Sequence, residues 1–123
     1  MKADMDMMKM DMPAVQRCMD DCGMCSTMCK ETAMKCMTME SMSMQMMCML
    51  QDCADMCQAT MSCMMRCSPM SGKMCMTCAD MCMNCADMCE KMGGKDEMMM
   101  RCAEMCRRCA NSCKGMAQTS KAA

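Results

Sequence analysis

Between Cys75 and Cys89 the chain reads Cys-Met-Thr-Cys-Ala-Asp-Met-Cys-Met-Asn-Cys-Ala-Asp-Met-Cys, with thiols at positions 75, 78, 82, 85 and 89. Steps of three and four along an α-helix return a side chain to nearly the same bearing, because each residue turns by ~100°. On a strand the same positions would scatter over both faces. This spacing therefore predicts a helix carrying one stripe of sulfur where an ordinary core would carry leucine and isoleucine.

The rest of the chain repeats the theme. A first helix is predicted from about Pro13 to Thr38, with Cys18, Cys22, Cys25, Cys29 and Cys36 at steps of four, three, four and seven. Ser41 or Ser43 is placed to cap a second helix, which runs to about Cys67 and carries Cys48, Cys53, Cys57, Cys63 and Cys67. There 53/57 and 63/67 are i,i+4 pairs, while Cys48 and the step from 57 to 63 drift off the seam. Ser68-Pro69 predicts the start of a third helix, which Gly93-Gly94 ends after Met92. Asp96 is placed to cap a fourth, with Cys102, Cys106, Cys109 and Cys113, ending near Gly115. Four amphipathic helices with short connections predict an all-α fold, an antiparallel four-helix bundle with a Cys-lined core. The expected organisation is a Met-rich N-terminal arm at 1–12, a bundle at 13–117 and a C-terminal tail at 118–123. Asp20, Asp21, Lys30, Asp80, Asp87, Arg107 and Arg108 are assigned to a solvated outer face.

Composition narrows the chemistry. Histidine and all aromatic residues are absent, while 19 cysteines and 33 methionines are present. Base-stacking platforms and Ser-His-Asp or Cys-His catalysis are thereby removed. The net charge of −1, with both signs interspersed, gives no basic patch for nucleic acid or a membrane surface. No apolar run reaches the ~18 residues of a membrane span, and no signal-peptide pattern is present. The expected location is cytoplasmic, the alternative being the mature form of an exported periplasmic protein.

Sulfur thus carries both the core and any chemistry. A disulfide framework suits short loop-rich chains with an even cysteine count, whereas these thiols are odd in number and spaced for helices. Soft thiolates and thioethers favour Cu(I), Zn(II) and iron–sulfur clusters. Zinc takes closed tetrahedra and its usual knuckle loops are missing, and iron–sulfur cysteines sit largely in loops. Cu(I) accepts two or three sulfurs, so the Cys-x-x-x-Cys pairs 18/22, 25/29, 53/57, 63/67, 78/82, 85/89, 102/106 and 109/113 read as two-sulfur sites. The competing readings are a dithiol oxidoreductase using Cys22/Cys25 or Cys82/Cys85, and a structural Met/Cys-packed bundle in which metal is incidental.

The segments 18–34, 52–58, 78–89 and 101–113, with their repeated Cys-Ala-acidic-x-Cys pattern, closely resemble the bacterial four-helix-bundle copper storage proteins. That resemblance implies a non-enzymatic store holding multiple Cu(I) ions, usually as a homotetramer. It also implies ligand roles for Cys18, Cys22, Cys25, Cys29, Cys36, Cys53, Cys57, Cys75, Cys78, Cys82, Cys85, Cys89, Cys102, Cys106, Cys109 and Cys113, and Cys48, Cys63 and Cys67 are included with them. Family members commonly carry His near the open bundle end, where this chain has Met. Antiparallel topology predicts that Met39, Met42, Met44 and Met46 meet Met92, Met98, Met99 and Met100 at one mouth, where they would assist copper admission and release.

Overall fold

The computed structural model describes residues 12–40 and 42–122. Four helices account for almost all of it: α1 Met12–Cys36, α2 Met44–Met65, α3 Ser71–Gly93 and α4 Glu97–Ala122. The expected arm lies outside the described residues except for Met12, which already belongs to α1. Ser41 lies outside them as well. Each helix packs on two neighbours, α1 and α3 both contacting α2 and α4, which is the square arrangement of an antiparallel bundle. Among the described residues no helix is long and apolar enough to cross a membrane.

Local chemistry sets the helix ends. The Ser43 side chain accepts a hydrogen bond from the Met46 amide and starts α2, and Asp96 Oδ1 accepts from the Met99 amide at 2.9 Å and starts α4. The Ser68-Pro69 signal falls short of its predicted role. Ser68 accepts from the Met70 amide at 3.1 Å, but this closes a turn and α3 begins only at Ser71. Gly94, at φ 57°, ends α3 in the left-handed region where glycine has no steric cost. At the other extreme α4 continues past Gly115, where the sequence predicts a stop, because one glycine with nothing after it to break the backbone ladder only weakens a helix.

The helices approach closely because the residue after many core thiols is small. Ala54, Ala79, Ala86, Ala103 and Ala110 each follow a cysteine and are buried at the helix contacts. Ser26 takes the equivalent place after Cys25 and donates to the Ala54 carbonyl at 2.9 Å, tying α1 to α2. Gly23 does the same work by having no side chain, since a Cβ there would lie 3.3 Å from Met61 Sδ.

One surface assignment is corrected. Asp21 is 1% exposed, accepts a hydrogen bond from Ser112 Oγ at 2.5 Å and lies 3.3 Å from Arg108 Nε. It faces α4 because position 21 lies next to the thiol stripe, at the α1–α4 seam, rather than opposite it. Asp20, Lys30, Asp80, Asp87 and Arg108 are exposed as expected, and half-buried Arg107 bridges Asp87 and Glu90 at 2.9 and 2.8 Å.

Candidate metal centre

Seventeen of the nineteen cysteines are buried, and all nineteen are free thiols. Sulfurs from all four helices meet along the bundle axis. At the end formed by the start of α1, the α2–α3 turn and the end of α4, Cys18, Cys75 and Cys113 come together. Cys18 Sγ and Cys22 Sγ lie 3.8 and 3.7 Å from Cys113 Sγ, and Cys109 Sγ lies 3.7 Å from Cys22 Sγ. At the centre of the column Cys57 Sγ lies 3.6 Å from Cys82, 3.7 Å from Cys78 and 4.0 Å from Cys109. Farther along, Cys25 and Cys29 approach Cys106 at 3.7 and 3.8 Å, and Cys29 approaches Cys102 at 3.8 Å. Cys85 and Cys89 are buried on α3 alongside.

Five groups of three or four of these sulfurs have all members within 4.8 Å of one another: 22/78/109/113, 25/53/57/82, 25/29/53/106, 57/78/82/109 and 18/75/113. The groups overlap, Cys25, Cys53, Cys57, Cys78, Cys82, Cys109 and Cys113 each belonging to two. These separations suit a metal rather than a disulfide. With metal–sulfur bonds of about 2.3 Å, three sulfurs in a trigonal plane stand about 4.0 Å apart, whereas a disulfide needs about 2.05 Å.

Charge then selects the ion. Among the described residues the buried polar ones are Asp21, Ser26, Thr32, Thr60 and Ser71, so none of them is a lysine or arginine that could offset anionic sulfur. Four thiolates around a divalent zinc leave excess negative charge in a desolvated core, and repeating that along the column multiplies the cost. One monovalent copper per thiolate leaves none. Proton bookkeeping follows the same logic, because neighbouring thiols share hydrogen bonds. Contact with Cys106 first holds the Cys53 thiol below the usual range, and contact with Cys102 first holds the Cys106 thiol above it. Cys36 is raised by burial first and by the carboxylate of Asp96 second. Incoming copper therefore has to displace protons from this network.

Not every expected ligand joins the column. Cys48 is exposed on α2, because its five-residue step to Cys53 turns it about 140° off the stripe. Cys63 is buried and Cys67 half-buried at the α2–α3 end. The methionines expected at the mouth differ in burial. Met46 and Met99 are buried, Met39, Met42 and Met98 are half-buried, and Met44, Met92 and Met100 are exposed. Cys36 Sγ donates to Met99 Sδ at 3.8 Å, so a thioether touches the last thiol of α1. The Lys35–Asp96 ion pair at 2.9 Å latches α1 to the α3–α4 turn beside it. The buried alanines act as spacers that the thiol pattern alone does not reveal, and their signal in the sequence is the Ala that follows Cys at 53, 78, 85, 102 and 109.

The copper storage protein family matches residues 11–118. The chain belongs to that family. A protein from Nitrosospira multiformis is 32% identical over 88% of this chain and 98% of its own, with a TM-score of 0.81. A cytosolic copper storage protein from Streptomyces lividans, solved with five coppers, is 28% identical over 86% of this chain and 93% of its own, with a TM-score of 0.81. A variant of the Streptomyces lividans Ccsp aligns with a TM-score of 0.84 at 28% identity, covering 89% of this chain and 97% of that one. A comparison with curated protein sequences gives no match. Family membership and the buried thiol groups together make this chain a Cu(I) store that ligates several ions through cysteine, and not an enzyme.

Proposed function

We propose that copper reaches the column through the methionine mouth and moves inward by exchanging one sulfur at a time. The observation that carries this reading is the overlap of the five thiol groups, since an ion held by Cys57, for example, can trade partners between two groups without leaving sulfur. Thioethers suit the admission step because they bind soft ions weakly and need no deprotonation. Met99 hands the ion to Cys36, and the buried Met46 lines the same end from α2. Gly93 supports this placement: a Cβ there would come within 2.5 Å of Met99 Cβ and push the thioether aside.

In this proposal the storage ligands are the buried column cysteines, while Met39, Met42, Met46, Met98 and Met99 bind copper only in transit, with the exposed Met44 at the rim. Cys48 is not part of the store. We further propose assembly into a homotetramer, as the family resemblance implies, for which the exposed outer methionines Met12, Met24, Met34 and Met65 offer apolar contact surface. For location we propose the cytoplasm, because nineteen cysteines at helical spacing suit a reducing compartment and because the Streptomyces lividans relative is a cytosolic protein.

Replacing Met46 and Met99 together by Leu keeps volume and removes both sulfurs. Stopped-flow uptake of Cu(I) under anaerobic conditions should slow several-fold with final capacity unchanged. Parental uptake kinetics would remove the mouth from the account.

A further inference from the structure

The end of the bundle opposite the methionine mouth also carries sulfur from surface to core. Helix α2 stops at Met65 in a Schellman turn, in which the Ser68 amide donates to the Cys63 carbonyl at 2.9 Å and the Cys67 amide to the Met64 carbonyl at 3.1 Å. The turn needs a left-handed residue at position 67, where glycine is the usual occupant. Here it is a cysteine, at φ 53°, the one described non-glycine residue with positive φ. A side chain in that conformation costs about 1–2 kcal/mol, so the thiol is kept against a backbone preference. A strained residue of this kind points to function.

What the strain holds is a graded set of sulfurs. Cys67 is half-buried and packs against the core, and Cys63, one helical turn before it, is 7% exposed. The Cys63 position is fixed twice, by Ser71 Oγ donating to its carbonyl at 3.4 Å and by Arg66 donating to its Sγ at 3.5 Å. Between the two cysteines Met64 turns fully inward, and its Sδ accepts from Cys75 Sγ at 3.8 Å. Cys75 in turn belongs to the 18/75/113 group that begins the column.

We propose that Cys63, Met64 and Cys67 form a second Cu(I) port, which takes an ion from a small thiol carrier and passes it through Met64 to Cys75. The step is ligand exchange with no change in oxidation state. Copper–sulfur bonds form to Cys63 and Cys67, the carrier's copper–sulfur bond breaks, and the protons of the two thiols leave with the carrier sulfur and solvent. The proposal rests on the copper-storage reading, and adds to it an entrance that the methionine mouth does not supply.

The test uses the full chain with Cys67→Gly, which removes the thiol and suits the left-handed position, and separately Met64→Leu, which keeps the turn unchanged. Anaerobic uptake is followed from Cu(I) presented by a small monothiol, with helix content and melting of the metal-free proteins as controls. The port predicts that each variant loses a reproducible share of the parental loading rate, up to about one-third because the mouth still works in parallel, while total capacity falls by no more than about one ion per chain. Cys67→Gly should melt no lower than the parent. Adding the Met46→Leu and Met99→Leu changes should slow loading below either set alone, as two parallel entrances require. Parental loading rates in both port variants would overturn the port and leave storage intact, whereas a parent chain that takes up no copper would end the storage reading itself. Should Cys67→Gly lose helix, the loading rate of Met64→Leu alone decides: slowed loading supports the port and a parental rate overturns it.

Discussion

Removing the buried carboxylate of Asp21 tests whether the α1–α4 seam is held as the geometry indicates. Asp21 accepts from Ser112 Oγ at 2.5 Å with almost no solvent access, and its other contact, Arg108 Nε at 3.3 Å, comes from a side chain that is 63% exposed. A hydrogen bond to a charged group contributes about 1.5–3 kcal/mol. The exposed partner adds less than about 1 kcal/mol, and relief of the carboxylate's desolvation works in the opposite direction. Asp21→Ala should therefore cost the metal-free bundle about 2 kcal/mol. With an unfolding entropy of about 2.1 cal/mol/K per residue over 123 residues, that lowers the thermal midpoint by about 8 °C. Ser112→Ala should cost a similar amount by leaving the carboxylate short of a donor. Because both changes delete one bond, the double variant should fall short of the sum by about 1–2 kcal/mol. Far-ultraviolet circular dichroism of the reduced, metal-free proteins during heating reads all three. Strictly additive losses, or single variants within about 0.5 kcal/mol of the parent, would refute the reasoning.

The column's geometry and the mouth's charges lead to two more tests. Cys57→Ser should lower Cu(I) capacity, because Cys57 belongs to two of the four-thiol groups, while Cys48→Ser should leave capacity unchanged; anaerobic titration of the two variants side by side checks this. Asp96 is held below its ordinary value near 3.8 by Lys35 first and by the Met99 amide second. Its contribution to stability is therefore complete above that ordinary value and is lost as pH falls through the lowered one. Acid unfolding of the parent should steepen in that window, and Lys35→Met should shift the loss toward higher pH; identical acid curves would show that the latch contributes nothing.

Much of this is legible in the sequence because the thiol period is helical and nearly unbroken on α1, α3 and α4. Steps of three, four and seven leave no other face for those sulfurs, and Ser43 and Asp96 start helices, and Gly93-Gly94 ends one, close to where each is expected. Where the period slips, so does the expectation. Cys48 groups with the ligands by residue type although its spacing already turns it outward. Asp21 is expected in solvent because a carboxylate beside a thiol stripe gives no local sign of the serine that meets it from 91 residues away. The α2–α3 turn shows the same limit, since nothing in Arg66-Cys67-Ser68 announces a left-handed cysteine; that conformation is imposed by the Schellman hydrogen bonds.

Storage by this chain requires that sulfurs from all four helices share copper in a single interior column. Anaerobic titration of the reduced chain with Cu(I) against a strong competing chelator measures this directly. The predicted result is a plateau of many ions per chain, rising toward one for each buried thiol, with a thiolate-to-copper absorption band growing until that plateau is reached. Saturation at about one or two ions, as closed four-sulfur sites would give, would contradict it.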